Sequence, residues 1–241
     1  MTYCVGILLN EGAVLLSDTR TNAGLDNISV YKKMFVFEEP GERVITILTA
    51  GSLSVTQTTI ARLREAVKEP DGAHGPSIME APTMLKVAEI VGNTLAEVSR
   101  DVREKLEGTK ISSGASMILC GQRKNGDMRM FLIYPEGNFI EATEDTPFLQ
   151  IGEHKYGKPI LDRVINMDLP LTDAIKCALL SMDSTLRSNL SVGMPLDLLT
   201  IRRDEMKVGQ KRRIEAGDQQ FKTMSAAWSE ALRDSFINIT I

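Results

Sequence analysis

The chain has 241 residues, 43% hydrophobic and 25% charged, the make-up of a globular protein with room for one large domain. Its formal net charge is −4, from 28 Lys+Arg and 32 Asp+Glu, and no basic stripe stands out, which argues against nucleic acid as a partner. The longest apolar runs are strand-sized, far short of the roughly 18 residues of a membrane span, and the N-terminus lacks the basic and apolar regions of a signal peptide, so no membrane partner and a cytoplasmic location are expected.

Residues 2–9 and 13–18 read as two strands separated by Asn10-Glu11-Gly12, a hairpin signal. Residues 33–37 and 43–49 form a second pair joined through Pro40-Gly41. Helical spacing follows over 52–68, at Leu53, Ile60, Leu63 and Val67, and over 82–106, at Met84, Val87, Val91, Leu95, Val98 and Val102. Pro82 suits the first turn of that helix and Gly108 its stop. The stretch between the helices, 69–77, is rich in Pro and Gly, reads as an exposed loop and contains His74.

Strands resume at 115–121, 128–134 and 138–141, with turns at Asn125-Gly126 and Glu136-Gly137. Helices are predicted at about 156–166 and 171–187, then strands at 196–202 and 205–214. Both helix pairs need an apolar sheet face. Two packed sheets, each covered outside by a helix pair, would bury every apolar stripe, so the expected class is α+β, a four-layer αββα sandwich. It would occupy 1–214 as one domain.

Residues 215–241 do not fit those layers. Phe221, Met224, Trp228, Leu232 and Phe236 recur at spacings of three and four, an extra C-terminal amphipathic helix. Two readings stand: a helix folded back on its own domain, or a contact between subunits, where aromatics and Met are enriched.

Three cysteines, Cys4, Cys120 and Cys177, without a CxxC, argue against a disulfide framework or zinc. Cys4 lies close to the N-terminus but within an apolar strand, where it would pack as a small hydrophobe. The two histidines, His74 and His154, show no metal-binding spacing, and there is no GxSxG elbow. No cofactor is expected. Thr2 stands out instead. If Met1 is removed, Thr2 carries both a hydroxyl nucleophile and an α-amine that titrates at roughly 7.7–8.0, a known nucleophile–base pair.

The opening TYCVGILLNEGAVLLSDTRTNAG, followed by YKKMF and TAGSLSVTQ, resembles a proteasome-type β subunit, an N-terminal-nucleophile hydrolase. The stretches SSGASM, YGKPILDR and DSTLRSNLSVGMPLDLL and the helical tail resemble the bacterial proteasome-related Anbu family. The HslV-type peptidases, shorter and without the tail, are the second resemblance.

The resemblance implies Thr2 as nucleophile, without a longer propeptide to cut away. Asp18 would accept hydrogen bonds near it and pair with Lys33, on the third strand, whose charge would lower the hydroxyl's pKa. Lys32 is the alternative lysine. Arg20 would be a structural arginine beside Asp18. Gly51 would offer its N–H to an oxyanion, its bland reading being a helix N-terminal turn. Thr21, Thr49 and Leu53 would form pocket walls. Asp183 and Ser188 would orient the amine or simply cap a helix end. Glu153, after Gly152, departs from the family's Ser at that place.

The implied activity is hydrolysis of peptide bonds through an acyl-ester on Thr2. A small-amide or modified-peptide amidase of the same chemistry, and a catalytically weak assembly subunit, are the rival readings. The implied partners are further copies of the chain, as a ring or an open helical homo-oligomer, and a peptide or protein substrate. Whether an unfoldase serves it is not legible in the sequence.

Overall fold

The computed structural model describes residues 2–22, 28–70, 72–73, 75–107 and 113–240. Met1, His74 and Gly108 lie outside them. In chain order the first half contains β1 (Tyr3–Leu8), β2 (Gly12–Asp18), β3 (Arg20–Asn22), β4 (Ile28–Val30), β5 (Met34–Glu39), β6 (Arg43–Gly51), α1 (Leu53–Lys68) and α2 (Met84–Lys105). The second half contains β7 (Ala115–Arg123), β8 (Arg129–Ile133), β9 (Phe139–Glu141), β10 (Phe148–Gly152), α3 (Lys158–Val164), α4 (Leu171–Ser188), β11 (Leu196–Arg202), β12 (Val208–Ile214) and α5 (Gln219–Asn238).

Every residue of β1 and β2 is buried, because their sheet is covered on both faces. That is why these strands read as continuous apolar runs rather than alternating ones. Strand alternation sorts their side chains into two cores. Tyr3, Val5 and Ile7 pack toward Leu161 of α3 and Ala174, Cys177, Ala178 and Met182 of α4. Cys4 and Leu8 pack instead against Leu48, Ile118 and Met130 of the other sheet. A third core joins that second sheet to α1 and α2 through Ile45, Ile47, Ile60, Leu63, Val87 and Val91. Three cores between four layers make the αββα sandwich.

One sheet has the order β10–β1–β2–β11–β12 and the other β5–β6–β7–β8–β9, and all their pairings are antiparallel. At the β1–β2 turn, Leu9 N–H donates to the Gly12 carbonyl at 2.7 Å.

Two expectations need correction, and two pieces of sheet are additional. Pro82 precedes the cap instead of sitting in the first turn: Thr83 is the N-cap of α2 and its hydroxyl accepts from Lys86 N–H at 3.1 Å. Lys33 lies just ahead of β5, not within a strand. β10 joins the first sheet although its sequence gives no clear strand signal, because Gln150 interrupts the apolar run and its partner β1 is far away in the chain. The β3–β4 ribbon is also additional, three residues a side.

Candidate active site

One end of the sandwich gathers the start of β1, the end of β2, the approach to β5 and the end of β6. Thr2, Asp18, Lys33 and Gly51 occupy these four positions. Tyr3 fixes the first of them. Its ring is fully buried, and its hydroxyl lies 2.6 Å from Ser181 Oγ on α4 and accepts from Gln150 Nε2 on β10, also at 2.6 Å. Thr2, 8% exposed, is thereby held at the end of the sheet, just ahead of β1. By alternation its side chain faces the same way as Cys4, toward the gap between the sheets.

Asp18 is the hub. Its Oδ1 accepts from Lys33 Nζ at 2.7 Å and from Tyr3 N–H at 3.1 Å, and its Oδ2 accepts from Gly193 N–H at 3.3 Å. Burial pushes the Asp18 carboxyl above its ordinary value, while Lys33 and the two amides pull the other way. Lys33 also donates to the Arg20 carbonyl at 2.5 Å. The ammonium and the Tyr3 amide thus meet on one carboxylate oxygen, one residue from the Thr2 hydroxyl. Lys32, the alternative lysine, is exposed and reaches over the Phe35 ring at 5.9 Å. The Arg20 side chain donates to the Leu190 carbonyl at 2.8 Å and makes no hydrogen bond or ion pair with Asp18.

Gly51 closes β6 with φ +103°, a left-handed conformation that glycine tolerates. A Cβ there would collide with the Gly114 carbonyl oxygen. This is a strand end, not a helix turn. Its amide direction follows from the ladder. Ser52 N–H donates to Gly114 O at 2.9 Å, toward β7, whereas Thr49 N–H donates to the Lys33 carbonyl at 2.9 Å, on the opposite side. Gly51 shares the Thr49 direction. The β5–β6 ladder ends at Met34 and Leu48, so the Gly51 amide projects past it, on the Lys33 side.

Thr21, in β3, and Leu53, at the start of α1, are half-buried beside these strand ends. Thr49 is buried, and its hydroxyl donates to the Lys33 carbonyl at 3.5 Å. It braces the lysine backbone.

Asp183 and Ser188 are not brought to Thr2. The Asp183 carboxylate accepts from Arg187 Nε at 3.0 Å, and Arg187 in turn donates to Ser225 of α5 at 2.6 Å. Ser188 is exposed at the end of α4. The groups that this half of the chain hydrogen-bonds to Asp18 and Thr2 are backbone ones. Gly193 N–H meets Asp18, and Glu153 N–H donates to the Thr2 carbonyl at 2.8 Å. Gly152, with φ +82°, permits that approach, since a Cβ would strike the Thr2 carbonyl. The half-buried Glu153 has no side-chain hydrogen bond or ion pair among the described residues.

Cys4 does not compete as nucleophile. It is fully buried, donates weakly to the Thr49 carbonyl at 3.7 Å, and burial pushes its thiol pKa up. His154 is exposed with Nδ1 3.1 Å from the Gly152 carbonyl oxygen. Among the described residues no cluster of three His, Cys, Asp or Glu could hold a metal, and no helix is long and apolar enough to cross a membrane.

A proteasome subunit family model matches residues 2–201. Among solved structures, a Gly-1 mutant of Anbu from Hyphomicrobium sp. strain MC1 is 47% identical over 100% of this chain and 99% of its own, with a TM-score of 0.92. Anbu from Yersinia bercovieri, described as an ancestral beta-subunit, is 41% identical over 99% and 98%, TM-score 0.91. The helical assembly of the Anbu complex from Pseudomonas aeruginosa is 43% identical over 99% and 97%, TM-score 0.91. Comparison with curated proteins gives no match.

Proposed function

The chain belongs to the proteasome subunit family, with Anbu as its near kin, and on that premise we propose that it hydrolyses peptide bonds with Thr2 as an N-terminal nucleophile. The observation that carries this reading is the single Asp18 oxygen shared by Lys33 Nζ and the Tyr3 amide. It holds a buried cation one residue from Thr2, the nucleophile of this reading.

Removal of Met1 frees the Thr2 amine. Thr2 Oγ attacks the substrate carbonyl carbon, and its proton passes to the amine directly or through a water. Lys33 favours the developing negative charge on Oγ. The Gly51 N–H, turned to the Lys33 side, donates to the oxyanion, a contribution of about 3–4 kcal/mol where such donors have been removed. Collapse of the intermediate breaks the C–N bond, and the amine returns the proton to the leaving nitrogen. Water then attacks the acyl-ester by the same route and restores the Thr2 hydroxyl.

In this scheme Glu153 takes the amine-holding role in place of Asp183 and Ser188. The 2.8 Å bond from Glu153 N–H to the Thr2 carbonyl sets the two residues side by side. The Glu153 carboxylate has no partner among the described residues.

Self-assembly belongs to the same reading. α5 exposes Leu232, Phe236 and Ile237, and Ile239 follows them, exposed by 50–78%, at the tip of a helix that only Phe221 and Ser225 bury well. The Pseudomonas aeruginosa relative forms a helical assembly. We assign 215–241 as the subunit-contact segment.

The test is intact-mass measurement of the protein before and after a threonine-directed electrophile such as an epoxyketone. Loss of Met1 and one adduct mapped to Thr2 are expected. Retained Met1 with no adduct sinks the proposal.

A further inference from the structure

The outermost strand of the first sheet breaks the apolar rule that its neighbours keep. On β11 the side chains turned to the gap between the sheets include Leu199 and Ile201. On β12 the positions across from Leu199 and Asp197 are Lys211 and Arg213. These cations therefore stand over the opposite sheet, where the edge strand β5 offers Met34 and Val36. The sheets part here around a cleft of about 220 Å³ whose lining includes Lys32, Met34, Val36, Asp197, Lys211 and Arg213, with Arg212, paired to Asp218, beside them.

The charge in this cleft is not balanced. Asp197 is the one carboxylate on its wall, 3.7 Å from Arg213, which also lies 3.4 Å from Glu215. Lys32 and Lys211 have no ion-pair partner among the described residues. Burial pushes the Lys32 ammonium below its ordinary value, and Lys211 adds to that push. Two unpaired cations held at one mouth stabilise an anion that joins them.

The floor narrows the chemistry. Met34 and Val36 present an apolar surface, and Asp197 would repel a compact dianion such as phosphate. A single carboxylate on a short aliphatic stem fits both, with the methylenes on Met34 and Val36 and the carboxylate between Lys32 and Lys211.

The cleft lies against the reactive end of the sandwich. Lys32 precedes Lys33, and Leu196, beside Asp197, pairs with Asp18. An extended peptide advances about 3.3 Å per residue, so one chain lying across Thr2 could reach the cleft within a few residues. We propose that this cleft is an acidic-residue subsite and that the chain selects peptides carrying Glu or Asp a few residues from the scissile bond. This rests on the reading of Thr2 as a peptide hydrolase.

Binding separates the two claims. The Thr2→Ala protein is titrated with a fluorescein-labelled extended peptide bearing Glu, and with its Gln counterpart, by anisotropy. The Glu peptide should bind roughly tenfold tighter at low salt, with the margin shrinking at 0.5 M salt, about where the Debye length falls to a few ångströms. The double variant Lys32→Gln/Lys211→Gln should lose the preference while keeping its affinity for the Gln peptide. Both positions are exposed, so the fold should tolerate the change, and an unchanged Tm confirms it. Equal binding of the two peptides, binding of neither, or a preference that survives in the double variant overturns the subsite. Failed labelling of Thr2 with the preference intact would remove only the catalytic reading.

Discussion

The Lys33 ammonium lies 2.7 Å from Asp18 Oδ1, with side-chain exposures of 6% and 0%. Each group is the other's main compensation for lost water. Breaking such a pair from one side costs about 3–5 kcal/mol, because the remaining charge stays buried. Lys33→Ala should therefore both abolish activity and lower stability by that order in urea unfolding. Asp18→Asn should do likewise, since it leaves the ammonium unpaired. A Lys33→Ala protein with full activity would show that the buried charge has no part in the chemistry.

Glu153→Gln tests what holds the freed amine. An adjacent carboxylate favours the charged amine and raises its pKa, so its removal should move the acidic limb of the kcat/KM profile to lower pH. Stability should stay nearly constant, because the Glu153 backbone bond to Thr2 remains. A profile that superimposes on the wild type would remove Glu153 from the site.

Thr2 stands out in the sequence by its place behind Met1, whereas Asp18, Lys33 and Gly51 are picked out only by the resemblance to proteasome-type β subunits; the structure brings all four to one end of the sandwich. The helices are legible from their 3.6-residue period. Asp183 and Ser188 mislead because a helix rotates its neighbours to different faces. Ser181 meets Tyr3, Met182 enters the core and Asp183 turns to Arg187. The donor that this region does send to Asp18, Gly193 N–H, has no side chain to announce it. β10 escapes notice for a related reason: what makes it a strand is Tyr3-to-Ile7 pairing from the far end of the chain.

Gly51→Ala bears on the oxyanion donor. A Cβ would meet the Gly114 carbonyl and force φ away from +103°. The amide would then turn from the Lys33 side. kcat should fall by about 10²–10³, the loss seen when one oxyanion donor is removed, with KM much less affected. A control, Ser52→Ala, removes a helix cap residue whose side chain makes no capping bond and should leave kcat unchanged. If Gly51→Ala raises KM alone, the residue shapes binding and not the transition state.

α5 should loosen in acid through its first turn. Asp218 caps the helix: Oδ1 accepts from Phe221 N–H at 2.8 Å and Oδ2 from Arg212 at 2.6 Å. These bonds, the Phe221 amide foremost and then Arg212, hold its carboxyl below the ordinary carboxylate value. A depressed folded-state pKa means that the ionised form is favoured by folding. Its contribution is full above the unfolded value of about 3.9 and is lost as pH falls through the lower folded value. Hydrogen-exchange protection of the amides at 219–224, corrected for intrinsic rates, should therefore drop between pH 5 and pH 3 more than that of α2. Asp218→Asn keeps a capping oxygen but cannot titrate, so the extra drop should vanish in it. An equal drop in the variant would place the acid sensitivity of α5 elsewhere.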